Sequence, residues 1–174
     1  MSHRGNGIEK GFTLIELSVV LLILAVLLAF LTPKFRDLTE YDIKSSSRRL
    51  AGTIRHLFDK AAIRHTYYRL NYDLKKDEYW VTYLDESKEF KEDSAVLSSR
   101  VRLPGNIHFE DIVTQGRGKV YDGETFTQFF PHGWVEETII HLGDKRERHY
   151  SLLVMPLTGR VRIYDRYIEF VEKR

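Results

Sequence analysis

The chain has 174 residues, and its 27 basic and 25 acidic side chains leave a formal net charge of +2. This balance produces no long-range field that would favour nucleic acid as a partner. The absence of cysteine excludes disulfides, thiolate metal sites and thiol nucleophiles. Ten Tyr and ten Phe favour an ordered domain rich in β-strands over a disordered tail.

The first predicted element is an apolar segment, residues 12–32. As a helix it would span roughly 30 Å, about the hydrocarbon thickness of a bilayer. An ordinary secretory signal peptide needs a small-x-small cleavage site after its apolar run. The residues around Pro33 offer no such site, so a helix that stays in the membrane is expected. Arg4 and Lys10 favour a cytoplasmic start and place the carboxyl-terminal domain in the periplasm.

Glu16 interrupts this apolar segment near its start. An intramembrane carboxylate costs about 2.5–3.5 kcal/mol unless it finds a partner. One interpretation is a glutamate that reaches the membrane interface. The other is a carboxylate that is paired only within an assembly. Gly11, which precedes the segment, has no side chain and could enter a narrow protease cleft.

Residues 11–17, GFTLIEL, and the apolar run behind them resemble the prepilin cleavage and methylation motif of type IV pilins and type II secretion pseudopilins. The resemblance implies that a prepilin peptidase cuts between Gly11 and Phe12 and N-methylates Phe12. Residues 1–11 would then be a leader peptide and residues 12–32 a transmembrane helix. It also implies that Glu16 directs filament assembly by pairing with the Phe12 amine of a neighbouring subunit.

Residues 33–66 are predicted to continue as an amphipathic helix. Its apolar residues recur at helical spacing and are expected to pack on a sheet of the same chain: Leu50, Ile54, Leu57, Phe58 and Ala61. From residue 67 the apolar period becomes two, which predicts a β-rich globular domain over residues 67–174. Its first hairpin alternates Tyr68, Leu70 and Tyr72 before a polar turn.

Further strands are predicted at 106–113, 125–130, 136–142, 148–155 and 160–164, with residues 86–94 as a charged loop. The segments LPGNIHF, FFPHGWVEETIIHL and PLTGRVRIY resemble the globular domain of H-type minor pseudopilins and the related FimT minor pilins. The resemblance implies an α+β, pilin-like fold, in which a long amino-terminal helix packs on antiparallel sheets.

The implied function is that of a minor subunit of the type II secretion pseudopilus, which assists the export of folded proteins across the outer membrane. Its implied partners are other major and minor pseudopilins, the prepilin peptidase, an inner-membrane assembly platform and membrane lipid. The alternative is a FimT-like minor pilin of a type IV pilus that takes part in DNA uptake. The carboxyl end is basic, but acidic residues are interleaved with the basic ones, so the sequence gives no strong support for nucleic acid as a partner.

No motif for catalysis, metal binding or a cofactor is visible, and we expect no enzyme activity. The seven histidines show no i,i+4 pair and are interpreted as surface or strand residues. Glu110 and Asp111 would point to opposite faces of a strand and so would not form an acid–base pair. Arg160 is interpreted as a solvated hairpin residue, and the sequence assigns it no role.

Overall fold

Two helices precede eleven strands in the residues that the computed structural model describes, 13–31, 34–98 and 100–170. The chain divides into two compact units, Met1–Leu38 and Thr39–Arg174. Helix α1 spans Leu14–Leu31 and lies in the first unit. Helix α2 spans Lys34–Arg64, and its residues from Thr39 onward belong to the second unit.

Helix α2 buries the predicted apolar stripe. Leu50, Ile54, Leu57 and Ala61 are fully buried, and Phe58 packs partly buried against the same core. The stripe therefore packs within its own chain, as predicted. Gly52 lies inside α2 without interrupting it, because the burial of its neighbours outweighs the low helix propensity of glycine.

The end of α2 is fixed by a left-handed residue. His65, directly after the helix, has a φ of 51°. The Thr66 amide then donates to the Ala61 carbonyl at 3.3 Å. This is the hydrogen bond of a Schellman cap, which satisfies a carbonyl that the helix leaves open and turns the chain toward the first strand.

The strands form two antiparallel sheets. Sheet A has the order β3-β2-β1-β7-β8, with β4 also paired to β2, and sheet B has the order β11-β10-β9-β5-β6. Their bounds are β1 (Tyr68–Asp73), β2 (Glu78–Leu84), β3 (Phe90–Glu92), β4 (Val101–Arg102), β5 (Ile107–Thr114), β6 (Gly118–Val120), β7 (Glu124–Phe130), β8 (Trp134–Val135), β9 (Thr138–Asp144), β10 (His149–Val154) and β11 (Val161–Tyr164). The predicted α+β class and antiparallel sheets are confirmed.

The core lies between α2 and the inner faces of both sheets. Leu70 and Tyr72 of β1, Phe129 of β7, and Ile140 and Leu142 of β9 all belong to it. Alternate residues of these strands point away from the core. Each sheet therefore presents an outer face, and these outer faces carry the polar chemistry described below.

The predicted loop over residues 86–94 is partly wrong, because Phe90–Glu92 form the edge strand β3. This strand pairs with β2, and Phe90 lies opposite Leu84. An edge strand has no partner on one side, so its exposed Lys91 and Glu92 resemble loop residues in sequence. Asp85 organises the turn: its Oδ1 accepts from the Glu89 amide at 3.1 Å.

The pair Gly143-Asp144 predicts a turn from its residue types alone, but the turn lies later in the chain. Both residues end β9, and the chain reverses over the next four residues. The Asp144 carboxylate accepts from the amides of Arg146 and Arg148 at 2.9 and 3.1 Å, and Glu147 takes a positive φ of 58°. A side-chain cap on this turn replaces the glycine that the prediction relied on.

The turn between β10 and β11 packs tightly on α2. Gly159 has a φ of +60°, and a Cβ added there would lie 2.6 Å from Phe58 Cβ. Nη1 of Arg55 donates to the Thr158 carbonyl at 2.7 Å. The turn at Gly159 and Arg160 therefore packs against α2, while the Arg160 side chain is exposed.

Candidate assembly site at the start of the first helix

Thr13 caps the amino terminus of α1. Its carbonyl accepts from the Leu17 amide at 3.2 Å, and its Oγ1 accepts from the Glu16 amide at 3.3 Å. Thr13 and Glu16 thus have the spacing of a capping box, and Glu16 lies in the first turn, where the helix dipole favours negative charge. The sequence analysis missed this role, although the T-x-x-E spacing signals it.

The Glu16 side chain is exposed, and no hydrogen bond or ion pair joins its carboxylate to any residue within 13–31, 34–98 and 100–170. Gly11 and Phe12, the predicted cleavage and methylation residues, lie outside the described residues. Only Glu16 of the three predicted site residues can therefore be placed, at the start of α1. Its pairing with a Phe12 amine stays a prediction.

Helix α1 is apolar on all sides. Its large side chains from Leu14 to Leu28 are exposed, for example Leu14 at 89% and Leu24 at 48%. The single hydroxyl, that of Ser18, donates to the Ile15 carbonyl at 2.8 Å and so needs no outside partner. A helix that is apolar all round requires a cover, either lipid or protein.

No helix within the described part of the chain combines enough length and apolarity to cross a membrane.

A second polar cluster lies on the outer face of sheet B. In β5 a bulge between Phe109 and Asp111 leaves Glu110 as an extra residue opposite β9. Glu110 Oε1 lies 2.6 Å from His149 Nδ1, and Asp111 Oδ1 lies 2.6 Å from His141 Nδ1. The expectation that Glu110 and Asp111 face opposite ways is therefore wrong, because a bulge breaks strict alternation.

His141 is fully buried and lies in β9, so of the two predicted settings, surface or strand, it has the second. Its Nε2 lies 2.8 Å from the Ile168 carbonyl, which can only accept, so Nε2 carries a proton. Asp111 also accepts from the Tyr167 hydroxyl at 2.8 Å, and the Tyr167 ring stacks on His141 at 3.8 Å. Segment 165–170 is thereby held against the sheet.

Ser151, His141 and Asp111 lie beside one another on three neighbouring strands, the residue types of a hydrolase triad. Their hydrogen bonds do not fit that chemistry. Ser151 Oγ donates to the Arg166 carbonyl at 2.7 Å and accepts from the Ile168 amide at 3.1 Å. The Ser151 hydroxyl and both nitrogens of His141 therefore already have hydrogen-bond partners. The three side chains bind segment 165–170 of the same chain.

The charge of this cluster is fixed by Asp111. Burial opposes its ionisation, but hydrogen bonds from His141 and Tyr167 outweigh burial and lower the pKa of the carboxyl. For Tyr167, burial is the main cause of a raised pKa, to which its bond to Asp111 adds. Asp111 is therefore ionised at neutral pH. In the described residues no group of three His, Asp or Glu side chains could hold a metal ion.

Residues 8–32 match a family model described as the prokaryotic N-terminal methylation motif. The type II secretion system protein H of Pseudomonas aeruginosa is 43% identical over 82 residues, which are 46% of this chain and 46% of that protein. The type IV narrow pilus major component PilA5 of Thermus thermophilus is 36% identical over 55 residues, 32% of this chain and 47% of that protein. The chain thus spans about half the length of these curated relatives.

Two solved structures of the minor pseudopilin EpsH from the type 2 secretion system of Vibrio cholerae share the fold. One has a TM-score of 0.56 at 12% identity and covers 71% of this chain and 97% of that chain. The other has a TM-score of 0.57 at 13% identity, with 73% and 96% covered. The predicted pilin-like fold is confirmed. The chain is thus similar to a type II secretion system protein H over about half of its length and shares the fold of the EpsH structures.

Proposed function

We propose that the chain is a minor subunit of the type II secretion pseudopilus and assists the export of folded proteins across the outer membrane. One observation carries this proposal: an all-round apolar helix, α1, opens with a carboxylate, Glu16, that has no charged partner in the described residues. Such a helix needs a cover, and such a carboxylate needs a cation once it is covered. Neighbouring subunits of a filament supply both.

The cation is the Phe12 amine of an adjacent subunit. A prepilin peptidase cuts between Gly11 and Phe12, which frees this amine, and then N-methylates it. The methylated amine keeps its positive charge and pairs with Glu16 of the next subunit. The match of residues 8–32 to the methylation motif supports this step. Glu16 thus selects subunits that have been processed, because an uncut chain offers no amine there.

The proposed organisation follows from the same step. Residues 1–11 are the leader, 12–32 the transmembrane helix, 33–66 its amphipathic continuation and 67–174 the globular domain. The protein is a single-pass protein of the bacterial inner membrane with its globular domain in the periplasm, until the assembly platform adds it to other major and minor pseudopilins. The engaged Ser151 and His141 support a subunit without enzyme activity.

A second candidate is a minor pilin of a type IV pilus. The similarity to a type IV narrow pilus component supports it, although this similarity covers only 32% of the chain. Both candidates use the same cleavage and the same Glu16 contact. They differ in the neighbours that co-purify with the mature chain, which are pseudopilins in one case and pilins in the other.

The test substitutes Glu16 in the full chain. Glu16→Gln keeps the capping-box geometry with Thr13 and removes the charge, because glutamine serves equally at this helix position. Glu16→Leu removes the charge and the polar side chain, while the backbone amide of residue 16 keeps its bond to Thr13 Oγ1. We expect both variants to be cut and methylated but to co-purify poorly with neighbouring pseudopilins and to reduce export. Ser18→Ala, which removes a hydroxyl that donates to the Ile15 carbonyl within α1, is the matched control and should assemble like the wild type.

Mass spectrometry of each membrane-extracted variant separates processing from assembly. If Glu16→Gln assembles and supports export as the wild type does, the ion pair is not what recruits the subunit. If the wild type retains Met1 beside an active prepilin peptidase, the processing step itself is wrong.

A further inference from the structure

The outer face of sheet A contains a groove of about 630 Å³. Its walls come from β1, β3, β7 and β8 and from the turn before β6. Aromatic side chains dominate it, and two of them, Tyr67 and Trp134, are each 37% exposed. Trp134 packs on Phe130 with the ring centroids 4.4 Å apart, and Tyr67 meets Phe130 edge-on at 5.7 Å. This groove is a ready aromatic platform on the side of the sheet that faces away from the core.

Arg69 lies at the centre of the groove. Its guanidinium is held between two rings, 3.6 Å from the centroid of Phe90 and 4.1 Å from that of Phe126. Its Nε donates to Gln128 Oε1 at 2.8 Å. Its two terminal nitrogens have no hydrogen-bond partner among residues 13–31, 34–98 and 100–170. The two terminal nitrogens of Arg69 are thus held in place and can donate hydrogen bonds to a ligand.

The groove carries one uncompensated positive charge. Arg117 stacks on Phe126 at 3.9 Å, but its Nη2 donates to Glu136 Oε2 at 2.6 Å and to the Phe126 carbonyl at 2.5 Å. Glu136 therefore balances Arg117, while no ion pair balances Arg69 within the described residues. Burial, with the nearby charge of Arg117 as a second cause, lowers the pKa of Arg69, and the nearby charge of Glu136 offsets these two only in part. An anion placed at Arg69 would relieve this cost.

We propose that this groove binds an extended peptide segment of a partner protein in which a carboxylate side chain stands next to an aromatic or aliphatic one. The carboxylate accepts from both terminal nitrogens of Arg69 in the paired geometry that guanidinium favours. The apolar side chain covers Phe130 and Trp134. A single carboxylate matches the single free charge, whereas successive phosphates of a nucleic acid would meet Glu136 and be repelled.

This inference goes beyond the filament role, because it uses sheet A and none of the amino-terminal motif. If the groove does not bind the peptide, the result of the Glu16 experiment still stands as a test of the filament role. The probe is the peptide acetyl-Ser-Leu-Glu-Phe-Ser amide, titrated calorimetrically into the full chain in mild detergent. The matched probe replaces Glu by Gln, and a single-stranded thymidine decanucleotide represents nucleic acid.

We expect the Glu peptide to bind about tenfold more tightly than the Gln peptide, as a charge-assisted hydrogen bond predicts. Arg69→Gln should abolish this difference, and Arg69→Lys, which keeps the charge but not the planar donor pair, should retain part of it. Trp134→Ala should weaken both peptides alike. Arg162→Gln, an exposed arginine of sheet B, is the control and should bind both peptides as the wild type does.

Circular dichroism confirms that each variant is folded before titration. Equal affinity for the two peptides, no heat of binding up to millimolar peptide, or wild-type preference in Arg69→Gln would each overturn the proposal. Tighter binding of the decanucleotide than of the Glu peptide would assign the groove to nucleic acid. A dimer in sedimentation that Arg69→Gln dissociates would assign it to a second copy. Both results would overturn the peptide proposal.

Discussion

Gly159→Ala should destabilise the globular unit for two separate reasons. The first is backbone strain, since the φ of Gly159 is +60° and a left-handed conformation costs an L-residue roughly 1–2 kcal/mol. The second is overlap, since the new Cβ would lie 2.6 Å from Phe58 Cβ and closer still to Cγ. These atoms are at the base of the side chain, so Phe58 cannot swing away without moving α2. Overpacking of this kind costs about 1–3 kcal/mol.

The two contributions together predict a loss of about 2–5 kcal/mol in the free energy of unfolding. Gly133→Ala is the matched control, because Gly133 has a φ of +74° and no atom within 4 Å of the added Cβ. It should lose only the strain, about 1–2 kcal/mol. The assay is urea denaturation of the full chain in mild detergent, followed by the fluorescence of Trp80 and Trp134, which both lie in the second unit.

The double variant Gly159→Ala with Phe58→Ala separates overlap from strain. Removing the ring relieves the overlap, so the double variant should lose less stability than the sum of the two single variants. The reasoning is refuted if Gly159→Ala costs no more than Gly133→Ala, or if the effects of Gly159→Ala and Phe58→Ala are additive. Either result would mean that the turn between β10 and β11 moves freely over α2.

Asp111→Asn should cost on the order of 3 kcal/mol at pH 7, because it leaves the buried His141 without its carboxylate. The lowered pKa of Asp111 means that this stability is present above about pH 4 and is lost as the pH falls through the unfolded value of 3.8 and then the folded one. Urea titrations of wild type and variant should therefore converge in acid, and a constant gap would contradict the linkage. Gly11→Val should block maturation by crowding the peptidase cleft, so that mass spectrometry finds the leader attached; a Gly11→Val chain that begins at methylated Phe12 would contradict the requirement for glycine at the cut.

Alternating apolar residues predicted β1, β2, β5, β7, β9, β10 and β11 well, because each of these strands has one face in the core. The short edge strands β3 and β6 differ from these. β3 and β6 have exposed residues and only three positions each, so their sequences carry no alternation to detect. The two-residue strands β4 and β8 are too short for any pattern.

The polar sites were harder to predict than the strands. The bulge that turns Glu110 and Asp111 to the same face depends on how β5 meets β9, which no local pattern reveals. The groove depends on strand order: β1 and β7 are far apart in the chain but adjacent in sheet A, and only this adjacency brings Phe126 onto Arg69. The start of α1 was more accessible, since Thr13 and its capping spacing can be read directly from the sequence.

The contacts between sheet B and segment 165–170 have a consequence for the order in which the chain folds. Strands β5, β9 and β10 carry buried polar groups that bind the backbone of residues 166–168 and the Tyr167 side chain, which are synthesised after all three strands. Until then His141 Nε2 and Ser151 Oγ lack the carbonyl acceptors that they have in the folded protein. The second unit therefore completes its fold only after this segment has been made, and a chain interrupted before it leaves these polar groups without their partners.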